Sequence, residues 1–330
     1  MKKIGILGSG TWGTALANML SKMGHKVTLW SKFEKDSVSL KETHKHPNLP
    51  GSYIREDINF VTELKDACID QDFVIFACPS PYVRETAVSV KSYLSDKQVI
   101  ITVAKGIEKD TLFTMSEILT DVLGESFNIV ALSGPTHAEE VALGLPTLIV
   151  SSCKNEDIAK LVQEEISNDV LRVYTNTDIK GVELSGALKN IIALAAGMSE
   201  GLGYGDNAKA AIITRGLSEI TRIGVAMGCN EKTFAGLTGI GDIVVTATSK
   251  NSRNHNAGVL IGKGYSLKET LEKVGMVVEG VNALEAAKEL EKKYDIELPI
   301  IDVVYKIVKE GTPVSMAIPL LFNRKYISEV

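Results

Sequence analysis

The strongest constraint on this chain lies at its amino-terminal end. The run Lys3-Ile4-Gly5-Ile6-Leu7 leads straight into Gly8-Ser9-Gly10-Thr11-Trp12-Gly13, which opens the helical pattern TALANMLSKMG. A GxGxxG spacing means little alone, but at a strand-to-helix junction each glycine acquires a physical task. Gly8 permits the tight turn, Gly10 leaves room for a pyrophosphate against the backbone, and Gly13 lets the helix pack closely on the strand. The free N–H groups and positive dipole end of the helix then attract the phosphates. A glycine-rich turn that only packs a βαβ unit is the plainer explanation, but it does not require all three glycines to fall at the junction. The segment therefore predicts a dinucleotide-binding unit at the start of a parallel sheet.

The first half of the chain keeps that rhythm. The β-rich runs KKIGILG, HKVTLW, INFVT, DFVIFAC, QVIITVA, NIVALSG, PTLIVSS and LRVYT alternate with helical patterns. This predicts an α/β fold whose amino-terminal part is a Rossmann-like, mainly parallel, doubly wound sheet. After about residue 178 the β runs fade. Long stretches such as VELSGALKNIIALAAGM and AKAAIITRGLSEITRIGVAM then repeat apolar residues at three- and four-residue spacing. The expected division is a nucleotide-binding domain over residues 1–180 and an all-helical substrate-binding and catalytic domain over 181–330. No low-complexity linker separates them, so a rigid junction with a cleft is expected, the chain entering a long helix near Asp178 to Glu183. Two polar loops, LKETHKHPNLPGSYI and TSKNSRNHNAG, interrupt the pattern where function is often carried.

Composition narrows the partners. With 330 residues, 45% of them apolar, each half can bury a core of its own. A formal net charge of −5 offers nucleic acid or an anionic membrane no general attraction, so any phosphate needs a local cationic site. Cys68, Cys78, Cys153 and Cys229 are far apart and form no CxxC pair, which favours reduced, buried thiols. The apolar run after Met1-Lys2-Lys3 is too short for a signal peptide. Nor do about 18 apolar residues run together, as a membrane-spanning helix would need. A cytoplasmic protein without stable membrane insertion is expected. His44 and His46 lie in a Pro-rich loop and His137 and His255 stand alone, so no metal site is expected. The small and Met residues of GVAMG and AAGM suit core packing or a dimer surface.

Cofactor choice turns on the residues after VTLW, Ser31-Lys32-Phe33-Glu34. A carboxylate there would accept from a ribose 2′-hydroxyl, whereas a cation would suit a 2′-phosphate. Lys32 leans the reading slightly toward NADP(H), and Glu34 keeps NAD(H) open. Ketone reduction with such a cofactor needs a proton donor, because hydride arrival makes an alkoxide. The helical pair Lys189-Asn190 is a candidate, and Lys105 in ITVAKGI could be the second cation that lowers a lysine pKa. A lysine between Leu188 and Ile191 is explained equally well by a solvated helix face. Asp242 in Gly239-Ile240-Gly241-Asp242 could hold a lysine, with Thr246 on the same helical face, although a helix cap is its simpler role. Ser252-Arg253-Asn254 joins a hydroxyl, a guanidinium and an amide suited to phosphate oxygens, against the bland reading of a capped surface helix. Ser133-Gly134-Pro135-Thr136 could bring backbone to a ligand at the carboxyl end of the sheet, or be a plain turn.

Taken together, GSGTWGTALA, VAKGIE, SGPTHAEEV, GALKNIIALAAGMSEG, GLTGIGDIVVT, SRNHNAG and VVEGV resemble the bacterial-type NAD(P)-dependent glycerol-3-phosphate dehydrogenases in identity, order and spacing. The likeness spans practically the whole chain. It implies that Lys189 is the general acid for carbonyl reduction and the base for alcohol oxidation, with Asn190 and Thr246 beside it. Lys105 would contact substrate and cofactor, and Asp242 would orient the lysines. Gly134, Thr136, Ser252, Arg253 and Asn254 would shape the substrate site, Arg253 and Asn254 as phosphate clamp. Thr11, Trp12, Lys32, Ala138, Val277 and Glu279 fall on the cofactor side, where Arg253 also reaches. Family members commonly carry Arg or His at the position of Lys32, and Ala247 replaces a frequent cysteine. The resemblance also implies a homodimer that makes glycerol 3-phosphate for phospholipids from a small phosphorylated ketone. A β-hydroxyacid dehydrogenase of the same plan, and a dinucleotide sensor without chemistry, are the alternatives.

Overall fold

The computed structural model describes residues 1–325 and Ser328. Each of the β-rich runs forms a strand: β1 (Lys3–Leu7), β2 (Lys26–Trp30), β3 (Asn59–Val61), β4 (Phe73–Phe76), β5 (Val99–Thr102), β6 (Asn128–Ser133), β7 (Thr147–Ser152) and β8 (Leu171–Asn176). They make one sheet in the order β3-β2-β1-β4-β5-β6-β7-β8. The strand order reverses beside β1, which pairs in parallel with both β2 and β4. That arrangement opens a crevice at the carboxyl ends of these strands, where ligands bind in open α/β sheets.

Helices α1 (Thr11–Lys22), α2 (Glu34–Thr43), α3 (Val83–Val90), α4 (Met115–Leu123), α5 (Ala138–Ala142) and α6 (Glu156–Ile166) accompany the sheet. Phe73 and Ile75 of β4 enter one core with Ile4, Ile6 and Leu16, whereas Val74 and Phe76 enter another with Leu7, Ile100 and Leu119. Both faces of the strand are therefore buried, as a doubly wound sheet requires. One pairing departs from the parallel pattern: β7 runs antiparallel to β6. The connection from β6 to β7 holds only the five-residue α5, about 7.5 Å long, which does not span the sheet as the helix of a parallel crossover does.

Among the described residues after β8 the regular elements are helical: α7 (Ile179–Gly201), α8 (Asp206–Ala226), α9 (Glu231–Phe234), α10 (Asp242–Thr248), α11 (Arg253–Gly262), α12 (Leu267–Val274), α13 (Glu279–Tyr294), α14 (Pro299–Lys309) and α15 (Ala317–Phe322). The Asp178 carboxylate caps α7 by accepting from the Gly181 N–H at 3.0 Å. Apart from Lys180, every residue of α7 from Ile179 to Ser199 is buried. An all-round apolar helix belongs at the centre of a bundle, and α7 runs about 35 Å through this one.

Alongside it lies α11, held backbone to backbone. A Cβ added at Gly197 would stand 2.0 Å from the His255 carbonyl oxygen, and one at Gly258 would stand 2.1 Å from that of Leu194. Gly201 and Gly262 repeat the contact one turn on. This close crossing carries the amino-terminal end of α11 to the middle of α7.

Candidate active site

Lys189 projects from the middle of α7 and is only 5% exposed, which removes the solvated-face reading. Its Nζ donates to Asp242 Oδ1 at 2.5 Å and to Thr246 Oγ1 at 2.6 Å. Asp242 opens α10 behind a sharp turn; a Cβ at Gly239 within that turn would lie 1.8 Å from the Phe234 carbonyl oxygen. From the sheet side, Lys105 follows β5 and donates through Nζ to Asp242 Oδ2 at 2.7 Å and to the Gly134 carbonyl at 3.0 Å. One buried carboxylate thus holds two ammonium groups, one from each half of the chain.

The balance of charges tunes the site. Burial brings the Lys189 ammonium down to about 8; Lys105 pushes the same way, and Asp242 opposes both. Burial alone would raise the Asp242 carboxyl, but the two lysines outweigh it and hold it below its ordinary value. A lysine near neutrality exchanges a proton readily in either direction. With Asp242 ionised, the centre carries excess positive charge when both lysines are protonated, suited to an anion or a developing alkoxide.

Of the three residues expected to bind phosphate, Asn254 is tied to the neighbour of Lys189. Ser252 caps α11 by accepting from the His255 N–H at 3.2 Å, and Arg253 is the exposed first residue of that helix. Asn254 is buried; its Nδ2 donates to Asn190 Oδ1 at 3.0 Å, and its Oδ1 accepts from the Gly280 N–H at 2.8 Å. Asn190 in turn donates to the Gly186 carbonyl at 3.3 Å, so it holds Asn254 in place. Gly134 ends the β6 segment at φ +153°, and the Thr136 hydroxyl donates to its carbonyl at 3.1 Å.

The glycine loop has the shape a dinucleotide needs. A Cβ at Gly8 would meet the Ala77 backbone at 2.9 Å, and one at Gly13 would lie 2.0 Å from the Gly8 carbonyl oxygen. Gly10 by contrast faces open space, with nothing within 4 Å of an added Cβ. Two glycines close the turn and the third leaves its backbone open to a ligand at the start of α1. Thr11, Trp12 and Ala138 line the neighbouring helix ends, with Val277 and Glu279 across the groove. Lys32 lies exposed past β2, its ammonium 5.7 Å from the Tyr82 ring centroid and 4.0 Å from Glu85. At the strand end itself stands Ser31, whose hydroxyl accepts from Ser9 Oγ at 2.8 Å.

Comparison with known proteins identifies the family. Residues 3–159 match the family described as NAD-dependent glycerol-3-phosphate dehydrogenase N-terminus, and residues 178–319 match its C-terminus. The chain belongs to the NAD-dependent glycerol-3-phosphate dehydrogenase family. It is 52% identical over 335 aligned positions to glycerol-3-phosphate dehydrogenase NAD(P)+ 2 of Lactobacillus delbrueckii subsp. bulgaricus, covering 100% of this chain and 99% of the relative. The glycerol-3-phosphate dehydrogenase NAD(P)+ of Bacillus subtilis is 47% identical over 98% of this chain and 95% of its own length. The crystal structure of glycerol-3-phosphate dehydrogenase from Coxiella burnetii superposes with a TM-score of 0.94 at 34% identity, covering 98% of this chain and 99% of that one. The protein is an oxidoreductase that interconverts glycerol 3-phosphate and dihydroxyacetone phosphate with a nicotinamide cofactor. The hydroxyacid and sensor alternatives fall away.

The dehydrogenase also contains contacts that sequence reasoning did not find. Across the groove between its halves, Ser80 donates to Glu279 through its backbone N–H at 3.1 Å and its hydroxyl at 2.7 Å. His137, set aside as isolated, enters the surroundings of Lys189: burial and the Lys189 charge lower its pKa, and its Nε2 is buried without a hydrogen-bond partner. No spacing rule joins these residues; only the position of the SGPTHAEE segment after a strand gave a hint. The four cysteines are free and buried, and burial pushes Cys68 and Cys229 up to about 12. Among the described residues no helix is long and apolar enough to cross a membrane.

Proposed function

We propose that Lys189 protonates the carbonyl oxygen when dihydroxyacetone phosphate is reduced and takes the proton back when glycerol 3-phosphate is oxidised. The observation that carries this reading is the buried Lys189 ammonium, held between Asp242 and Thr246 with its pKa brought to about 8. A bound nicotinamide supplies the hydride to the carbonyl carbon, or accepts it in reverse. As the C–H bond forms, the carbonyl π pair moves onto oxygen, and the Lys189 ammonium delivers a proton there and becomes a neutral amine. Asp242 orients Lys189, while Lys105 stabilises the developing negative charge. Thr246 fixes the remaining direction of the ammonium, and Asn190 acts through Asn254.

Ser252, Arg253 and Asn254 take the phosphate, and Gly134 and Thr136 close the other side of the substrate. Arg253 also reaches the cofactor, whose other contacts are Gly8, Gly10, Thr11, Trp12, Gly13, Lys32, Lys105, Ala138, Val277 and Glu279. NADP(H) is the preferred cofactor: Ser31 occupies the strand end where a carboxylate would read a 2′-hydroxyl, and Lys32 offers a cation beside it. Residues 1–180 form the cofactor-binding unit and residues 181–330 the substrate-binding one. On the family's example the protein acts as a homodimer in the cytoplasm and supplies glycerol 3-phosphate for phospholipids. The test follows NADPH and NADH absorbance with dihydroxyacetone phosphate and with unphosphorylated dihydroxyacetone. Rapid oxidation only with the phosphorylated ketone, faster with NADPH, is expected. Equal rates with both ketones would remove the phosphate clamp, and a faster rate with NADH would remove the role of Lys32.

A further inference from the structure

A carboxylate that the reaction does not use is buried where the two halves of the chain meet. Glu183, in the second turn of α7, is 5% exposed, and both its oxygens are taken by Ser116 of the sheet-side helix α4. Oε1 accepts from the Ser116 N–H at 2.8 Å and Oε2 from the Ser116 hydroxyl at 2.5 Å. One turn earlier on α7, Lys180 pairs with Glu117 at 2.8 Å. Burial raises the Glu183 carboxyl to about 7, although the donors of Ser116 and Thr114 oppose the rise. An apolar side chain would join two helices without the cost of burying a charge. What the carboxylate adds is direction, because two hydrogen bonds set the first turn of α4 in one register against α7.

That register reaches Lys105 by a short path. Ser116 lies two residues after Thr114, the N-cap of α4, and Thr114 pairs in an antiparallel bridge with Ile107, two residues beyond Lys105. The Glu108 N–H donates to the Phe113 carbonyl at 2.9 Å and closes the loop between them. Ile107 is buried in the same apolar core as Leu184 and Leu188 of α7. Gly186 stands one turn on from Glu183 on the same face of α7, and a Cβ there would lie 3.6 Å from both Cγ and Cδ of Lys105. The Lys105 stem thus runs along the face of α7 that Glu183 begins, and its ammonium ends between Asp242 and the Gly134 carbonyl.

We propose that Glu183 is a positioning residue for the reaction: by fixing Ser116 it holds the loop between β5 and α4 against α7, so that the Lys105 ammonium reaches Asp242 beside Lys189. This rests on the reading of Lys189 as the proton carrier. Without that hold, the like charge of Lys105 bears less on Lys189, and Asp242 is left to Lys189 alone. A residue that only stabilised the fold would lower the melting temperature and leave this charge balance as it is.

The experiment measures kcat/KM for dihydroxyacetone phosphate reduction by NADPH from about pH 6 to 10 in wild-type, Glu183→Ala, Glu183→Gln and Ser116→Ala proteins, with melting temperatures alongside. In Glu183→Ala the decline expected near 8 in the native protein should move up to about 9, and the rate below it should fall by about 10-fold as Lys105 withdraws. Glu183→Gln, whose amide can accept from the Ser116 N–H and donate to its hydroxyl, should keep the decline near 8 and most of the rate. Should Glu183→Ala fail to fold, Ser116→Ala, which removes one of the two donors, must show the same upward move in smaller measure. A decline that stays near 8 in the folded Ala variants overturns the proposal, whatever their melting temperatures. A Glu183→Gln protein as impaired as Glu183→Ala overturns it too. A native profile with no decline near 8 removes the proton role of Lys189 and the proposal together.

Discussion

Replacing Asp242 by Asn tests the electrostatic account of the active site, because it removes one charge and almost no volume. In the native protein Asp242 Oδ1 and Oδ2 hold Lys189 and Lys105 at 2.5 and 2.7 Å, and Lys189 retains a pKa of about 8 despite full burial. Breaking a buried ion pair by removing one partner costs about 3–5 kcal/mol, or roughly 2–3 pKa units and more, unless the remaining group discharges. Lys189 can discharge, and Lys105, left beside it without the shared carboxylate, pushes in the same direction. Its pKa should fall to about 5–6, so at pH 7 the protonated fraction drops from about nine tenths to between about 1% and 10%. Ketone reduction at pH 7 should therefore slow by about 10- to 100-fold.

The pH profile separates this cause from simple damage. For reduction by the native enzyme, kcat/KM should be level below about 8 and decline above it, because the reaction needs the Lys189 ammonium. Oxidation of glycerol 3-phosphate needs the neutral amine and should decline below the same point. In Asp242→Asn the reductive limb should move down to about pH 5–6, and acidification should restore most of the lost rate. Single-turnover NADPH oxidation from about pH 5 to 9 measures this directly. A variant whose limb stays near 8, or whose loss is equally deep at low pH, would refute the charge-holding role of Asp242.

Other consequences can be measured in parallel. Lys189→Ala should lower kcat by about 100-fold or more while the dissociation constant for NADPH stays unchanged, since a proton transfer and not a cofactor contact is lost. Arg253→Ala should raise the KM for dihydroxyacetone phosphate by about 10-fold or more with a smaller effect on kcat, because a charge-assisted phosphate contact is removed from an exposed site. Lys32→Glu should reverse the ratio of kcat/KM values for NADPH and NADH; an unchanged ratio would take cofactor choice away from that side chain. Gly258→Ala would set a methyl 2.1 Å from the Leu194 carbonyl oxygen. It should lower stability by about 1–3 kcal/mol or more, read as a fall in Tm, and raise the KM for the phosphorylated ketone because α11 carries Arg253 and Asn254.

The sheet was legible because its signals are local. Each strand is a short β-rich run between turn residues, and the glycines of the first turn must sit where strand meets helix, so Gly8, Gly10 and Gly13 announce both fold and ligand class. The direction of β7 is a different matter, since it depends on how short α5 is, which periodicity cannot fix. The chemistry was legible only in part. Because α7 is buried on every side, its pattern has no polar stripe on which Lys189 would stand out, and an exposed lysine was as good an explanation until the fold was seen. The partners that tune it are distant in sequence: Lys189 and Asp242 are 53 residues apart, and Lys105 and Asp242 are 137 apart. Asn190 was readable as a neighbour of Lys189 but not as the residue that holds Asn254. The small residues of AAGM suggested packing without showing that Gly197 meets α11, and nothing in the sequence marked Gly201, Gly258 and Gly262 as its counterparts.

The placement of the site has a consequence for how the two halves work together. Lys189, Asn190, Asp242 and Asn254 stand on helices of the carboxyl-terminal bundle, whereas Lys105 and Gly134 follow strands of the sheet. Asp242 is therefore both the group that sets the charge of Lys189 and the anchor that ties the sheet to the bundle through Lys105. The bonds from Ser80 to Glu279 make a second tie on the cofactor side of the same groove. Removing Ser80 should loosen that junction without touching the charge on Lys189, whereas removing Asp242 disturbs both. If Lys189 carries the proton, a Ser80→Ala variant should keep its inflection near 8 while losing cofactor affinity, which would separate alignment of the two halves from proton transfer.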